Sequence, residues 1–209
     1  SPAFRATFDG AAPPQSALYW RGPVMWNFDG RTWDMTRWSN SIEPDELPDA
    51  QGATYRYAVQ LEPNEQNWLF ALDYPVAKPD AAHRLTFDFQ LLTRRGVTQL
   101  TAYEVVSNPD FIDSPELKAT FRNMALALPE GFNPRTREMI DQWRAETETD
   151  AALVRRVLAH FNQEAFRYTL NPPLLSRDSV DEFLFDTRAG FCEHYASAFA
   201  VMMRMAGIP

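Results

Sequence analysis

From Ser1 to about Leu128, apolar and polar residues alternate in short runs such as Tyr55–Leu61 and Leu85–Leu91. A period of two sends successive side chains to opposite faces, so these runs predict β-strands with one face turned inward. Turn-forming stretches, among them Asp9-Gly10, Asp29-Gly30, Glu62-Pro63-Asn64 and Lys78-Pro79-Asp80, punctuate the runs at the spacing of an antiparallel sandwich or barrel.

Near Asn133-Pro134 the rhythm changes. Pro134 to about Ala145 reads as a helix with Asn133 as N-cap and proline in its first turn. A second helix starts near Asp150, capped by Thr149 or Asp150, with Leu153, Val157, Leu158, Phe161 and Phe166 as its apolar stripe. Arg167–Leu170 is extended and is ended by Asn171-Pro172-Pro173, because a residue before proline is pushed out of the helical region. A short helix over Val180–Phe185 and a longer one from Cys192 to about Ala206, stopped by Gly207 and Pro209, complete the pattern. The expected fold is α+β, with an all-β domain over residues 1–130 and a helical domain over 131–209.

Composition narrows the function classes. Hydrophobic residues make up 45% and aromatic residues 13% of the 209, which a disordered chain does not show. The net charge is -8 and the cations are scattered along the sequence, which argues against a nucleic-acid partner. Ala198–Ile208, the most apolar run, is interrupted by Arg204 and falls short of the roughly 18 residues that a membrane span needs. The chain begins at Ser1, without a signal-like segment, and is expected to be an excised part of a longer protein.

Trp20, Trp26 and Trp33 crowd one short stretch; a sugar platform is one reading, and aromatic core is the reading adopted. The single cysteine, Cys192, excludes an internal disulfide. It follows Gly190-Phe191 at the start of an apolar helix, where unpaired amides and the helix dipole favour an anion, and so a thiolate or an oxyanion. The glycine is expected to let a substrate carbonyl approach the backbone, and the Cys192 amide to donate to a tetrahedral intermediate. Ala196, Phe199, Met203 and Ala206 are expected to form the buried face behind it.

His194 is not the expected base, because two residues on a helix turn the side chain by about 200°. His160 and His83 read as structural, and Cys192 with His194 is a weak metal signature, so no metal or cofactor is expected.

The run Gly190-Phe191-Cys192-Glu193-His194-Tyr195-Ala196-Ser197-Ala198-Phe199, with Met203-Arg204-Met205-Ala206-Gly207-Ile208-Pro209, resembles the core motif of the transglutaminase-like superfamily, a papain-like arrangement. Phe166–Pro173 and Val180–Phe185 resemble the lead-in of its bacterial members. Leu18–Gly22 and Phe28–Trp33 resemble the β-domain of TgpA-type proteins of Gram-negative bacteria. The resemblance implies that 131–209 is the helical first half of such a core. It also implies a periplasmic part of an inner-membrane protein, anchored by segments outside this chain.

By the same resemblance Cys192 attacks the carboxamide of a glutamine-containing protein or peptide, and a primary amine resolves the thioester. Tyr168 is a candidate oxyanion donor. The histidine and aspartate partners are expected beyond Pro209, so this stretch is expected to be inactive alone. The rivals are a cysteine peptidase or amidase, in which water resolves the thioester, and a non-catalytic binding module.

Overall fold

The computed structural model describes residues 3–37, 39–44, 52–110 and 117–209. Two compact units divide the chain: residues 1–26 with 35–117, and residues 27–34 with 118–209. Strands and helices are numbered below in chain order.

The first unit is built of strands. β1 (Phe4–Phe8) and β10 (Thr101–Ser107) both pair antiparallel with the central β5 (Tyr55–Leu61). Alternation is strict in β5: Tyr57, Val59 and Leu61 are fully buried, while Arg56, Ala58 and Gln60 are exposed. Short ladders complete the unit, with β2 (Trp20–Arg21) on β7 (Ala71–Leu72), and β6 (Trp68–Leu69) and β8 (Arg84–Leu85) on either side of β9 (Leu91–Leu92).

Two buried tyrosines tie these ladders to the long strands. The Tyr57 hydroxyl meets Ser107 Oγ at 2.8 Å and accepts from the Leu72 amide at 2.7 Å. That of Tyr103 donates to the Phe70 carbonyl at 2.9 Å and accepts from the Phe70 amide at 3.0 Å. Burial pushes Tyr57 up to about 12 and raises Tyr103 further, so both stay neutral donors at physiological pH.

The run Leu85–Leu91 is not one strand. It folds back between β8 and β9 over a tight turn with Phe89 at φ 62°. Its polar positions, Thr86, Asp88 and Gln90, are all buried. The Asp88 carboxylate gathers Thr86 Oγ1 at 2.5 Å, Gln90 Nε2 at 3.0 Å and Trp26 Nε1 at 2.6 Å. An alternating pattern here records a polar knot around one carboxylate, not a face open to water.

The second unit is mainly helical: α1 (Ala119–Leu126), α2 (Pro134–Ala145), α3 (Asp150–Gln163), the single turn α4 (Ser179–Asp181) running into a π-helical turn over Glu182–Thr187, and α5 (Cys192–Met205). Ile140, Leu153, Val157, Leu184, Val201 and Met202 are fully buried at its centre. Leu158, assigned to the α3 stripe by spacing, is 47% exposed, because Leu153 and Val157 point inward and Leu158 lies about 100° further round. Thr149 caps α3, its side chain accepting from the Ala152 amide at 3.2 Å.

Asn133 stands at the N-cap of α2 with φ 52°, but its side chain caps another element. Its Oδ1 accepts from the amides of Val180 and Asp181 at 3.0 and 3.2 Å. Asp181, 4% exposed, replies across the gap: its carboxylate accepts from the amides of Arg135 and Thr136 at 2.9 and 2.8 Å and from Thr136 Oγ1 at 2.6 Å. Asp178 completes the clasp by accepting from the Asn133 amide at 2.7 Å. The starts of α2 and α4 thus cap each other.

The hairpin of β3 (Asn27–Phe28) and β4 (Trp33–Asp34) belongs to this unit. Phe28 stacks on Trp33 with ring centroids 4.5 Å apart, and Trp33 Nε1 donates to Ser197 Oγ of α5 at 2.8 Å. A Cβ on Gly30, at φ 105°, would meet the Phe132 ring at 2.6 Å, so the hairpin tip needs glycine there. The aromatic cluster is therefore divided: Trp20 packs edge-on against Tyr57 in the first unit, while Trp33 supports α5. Among the described residues no helix is long and apolar enough to cross a membrane.

Replacing Asp181 by Ala strands two helix amides and a buried hydroxyl, and is expected to cost about 2–3 kcal/mol of stability. Asp181→Asn, which keeps one acceptor oxygen, is expected to cost less. Urea unfolding followed by circular dichroism checks the order; equal midpoints for the three proteins would remove the clasp from the account.

Candidate active site

The approach to Cys192 is set by a short parallel ladder. β11 (Arg167–Tyr168) pairs with β12 (Ala189–Gly190), and the flanking Thr169 amide donates to the Gly190 carbonyl at 2.8 Å. After the π-helical turn Arg188 adopts φ 47°, which reverses the chain into β12. Phe191 is then extended, and α5 begins at Cys192. The thiol is exposed. Its amide is the first of the helix, with no carbonyl one turn ahead to accept it.

His194, at the third helical position, turns back. Its Nδ1 accepts from the Phe191 amide at 3.4 Å, and its ring lies edge-on to Phe191 at 4.6 Å and against Phe183 at 5.7 Å. The imidazole thus closes the helix start, which agrees with the angular argument against it as the base. It also gives Gly190 a different purpose from the expected one: a Cβ there would meet His194 Cγ at 2.6 Å and Cβ at 2.7 Å. The space that glycine leaves beside the cysteine is filled by His194, not left for a substrate carbonyl.

The buried face of α5 matches the expected one in part: Met203 and Ala206 are buried as expected. Ala198, Val201, Met202 and Met203 face the core, whereas Ala196 is exposed and Phe199 half-buried. In a run of almost uninterrupted apolar residues the sequence leaves the rotation of the helix open by about one position, and the packing of Val201 and Met202 decides it. Cys192 and Ala196 consequently share an exposed stripe.

Tyr168 is 63% exposed and stacks on Tyr195 at 6.4 Å, with Tyr195 one turn on from Cys192. The structure therefore brings Tyr168 to the first turn of α5 by way of a residue that spacing had not singled out. Tyr195 also packs edge-on against Phe183 at 5.0 Å, and desolvation raises its hydroxyl above the usual tyrosine value. A groove of about 530 Å³ runs along another side of this turn, walled by Leu175, Phe183, Phe191, Glu193, His194 and Ser197.

His160 sits apart, edge-on to Trp143 and Phe166 at 5.3 and 5.5 Å, with its Nε2 buried and without a hydrogen-bond partner among the described residues. Desolvation lowers its pKa, opposed by Glu164 and assisted by Arg188. His83 belongs to the first unit, where its Nδ1 accepts from Arg94 Nε at 3.1 Å. Neither shows the carboxylate-oriented geometry of a catalytic base.

The family model of the TgpA N-terminal domain matches residues 1–113, and that of the transglutaminase-like superfamily matches 137–209. The chain is 45% identical over 210 residues to the protein-glutamine gamma-glutamyltransferase of Pseudomonas aeruginosa, covering 99% of this chain and 31% of the relative. It thus spans about a third of that curated relative's length. It is 31% identical over 93 residues to the uncharacterized protein YebA of Bacillus subtilis, covering 43% of this chain and 13% of that one. Among solved structures it resembles the periplasmic domain of TgpA from Pseudomonas aeruginosa, with a TM-score of 0.91 and 42% identity over 99% of this chain and 71% of that one. The same domain bound to ethylmercury matches with a TM-score of 0.89 and 42% identity over 99% of this chain and 73% of that one.

Gly190→Ala is expected to push the His194 ring out of place and to destabilise the chain by about 1–3 kcal/mol. Adding His194→Ala should restore part of the loss in denaturant unfolding, and a neutral single variant would show that the close approach is inconsequential. His160 gives a pH dependence. Because its folded pKa lies below the ordinary 6.5, the unfolded chain binds the proton more readily. Stability contributed by the neutral ring is present above about 6.5 and is lost as pH falls through the depressed folded value. His160→Phe should flatten the acid side of a melting-temperature profile between pH 7 and 5; an unchanged slope would assign that region to other groups.

Proposed function

This chain belongs to the TgpA family, and on that footing we propose that it supplies the nucleophile-bearing part of a protein-glutamine γ-glutamyltransferase working in the bacterial periplasm. The observation that carries the reading is the placement of Cys192: an exposed thiol at the first position of a helix whose start is fixed by Gly190, His194 and the β11–β12 ladder. It lies inside the stretch matched by the transglutaminase-like model.

In this reading the Cys192 thiolate attacks the side-chain carbonyl of a glutamine in a protein or peptide. The Cys192 amide donates to the developing oxyanion, and Tyr168 is the second donor. The carbon–nitrogen bond breaks, the amide nitrogen takes a proton and leaves as ammonia, and a thioester remains. A primary amine then attacks the thioester, giving the cross-linked amide and the free thiol. The histidine that moves these protons, and the aspartate that orients it, belong to the chain that follows α5 in the intact protein. Segments outside this stretch anchor that protein in the inner membrane of a Gram-negative cell. With water in place of the amine the same thioester gives deamidation.

The intact protein, given a glutamine peptide and a fluorescent primary amine, is expected to release ammonia and incorporate the label. Cys192→Ala should lower both by about a thousandfold or more, and Tyr168→Phe by about tenfold or more. Label incorporation that survives Cys192→Ala would sink the proposal. Ammonia release without incorporation would make the protein an amidase, and an unchanged Tyr168→Phe would remove that donor from the site.

A further inference from the structure

The first unit carries a cationic pocket in a chain whose net charge is -8. A groove of about 350 Å³ on the β8–β9 ladder is lined by Arg84, Arg94, His83, Asn40 and Asn67 among others. A second of about 400 Å³ shares His83 and Arg94 with it and adds Lys78 and Asp80. Among the described residues, Lys78, Arg84 and Arg94 have no carboxylate within ion-pair distance. Cations that merely solvate a surface are normally long, mobile side chains, whereas these are held by the backbone or by one another.

Arg84 Nη1 donates to the carbonyls of Ser41 and Asn40 at 2.5 and 3.4 Å, which occupies one nitrogen and leaves its neighbours free. Arg94 Nε donates to His83 Nδ1 at 3.1 Å, so the imidazole proton is on Nε2 and both terminal nitrogens of Arg94 remain available. Lys78 Nζ is fixed on the Ala82 carbonyl at 2.8 Å. The frame beneath is regular: Arg84 pairs with Leu92 in the ladder, and the His83 amide donates to the Leu92 carbonyl at 2.7 Å. Holding the donors in advance reduces the entropy lost when an anion binds.

From this arrangement we propose that the His83–Arg84–Arg94 pocket binds a phosphate group. Two forked guanidiniums and an imidazole N–H line the first groove and supply donors from several directions, which suits a tetrahedral anion with acceptors on every side better than a planar carboxylate, while Lys78 and Asp80 line only the second groove. The site is independent of the thiol chemistry. The phosphate reaches it either free, on a small soluble ligand, or on a phospholipid headgroup.

Inorganic phosphate titrated into the full chain at constant ionic strength, with sulfate-free buffer and chloride as control, should shift the amide resonances of His83, Arg84 and Arg94 with a roughly millimolar dissociation constant. Arg94→Ala and His83→Ala, both at exposed positions, should weaken this about tenfold while leaving the unfolding midpoint in place. Flotation with phosphatidylglycerol vesicles, compared with phosphatidylcholine vesicles, separates the sources. Binding to the anionic vesicles that the same variants abolish assigns the phosphate to a lipid, and phosphate binding without vesicle binding assigns it to a soluble ligand. Absence of both, or binding indifferent to the two variants, overturns the proposal.

Discussion

The carboxylate of Asp181 is the point from which the helical unit is hung. Buried and acceptor-only, it must be met by donors, and it finds them at the open end of α2 in Arg135 and Thr136. Asn133 returns the favour at the open end of α4. Once this clasp is closed, the chain after Asp181 has little choice: a π-helical turn carries Phe183 into the aromatic core, Arg188 reverses direction, and β12 delivers Cys192 to the head of α5. The position of an exposed thiol is thus determined by a polar contact in the interior, reached through short segments with few alternative routes.

That dependence explains what sequence alone could and could not disclose. The limits of α2, α3 and α5 are written in nearby residues, Pro134, Thr149 and the Gly190-Phe191 break, and the structure follows them. The clasp joins residues more than forty positions apart, so no local window contains it, and Asn133 reads as an ordinary N-cap when its side chain serves a different helix. The run Leu85–Leu91 misleads for a related reason. Its polar members are buried around Asp88 by Trp26 and Gln90, and alternation cannot tell a solvated face from a satisfied interior. On α5 the apolar residues are so dense that no polar edge marks the helix rotation, and packing alone places Cys192 with Ala196 outside and Val201 with Met202 inside.

The candidate site was legible as chemistry before it was legible as geometry. A cysteine at a helix start next to a glycine is a short pattern with a physical meaning, and the family motif around it carried the rest. What the pattern concealed was the division of labour among its neighbours: Gly190 makes room for His194, His194 closes the helix, and Tyr195 brings Tyr168 alongside. Each of these roles belongs to a residue within four positions of the thiol, yet each depends on which way the helix faces.

The hairpin that supports α5 comes from the other end of the chain. Trp33 and Ser197 are 164 residues apart, and the segment between β4 and α1 folds into a different unit. During vectorial synthesis the hairpin emerges early and must wait, its tryptophan without its final partner, until nearly the whole of this stretch has been made. The helix bearing the thiol gains this support only after residues 35–117 have been made and folded aside, so its packing presupposes a hairpin that precedes a whole other unit.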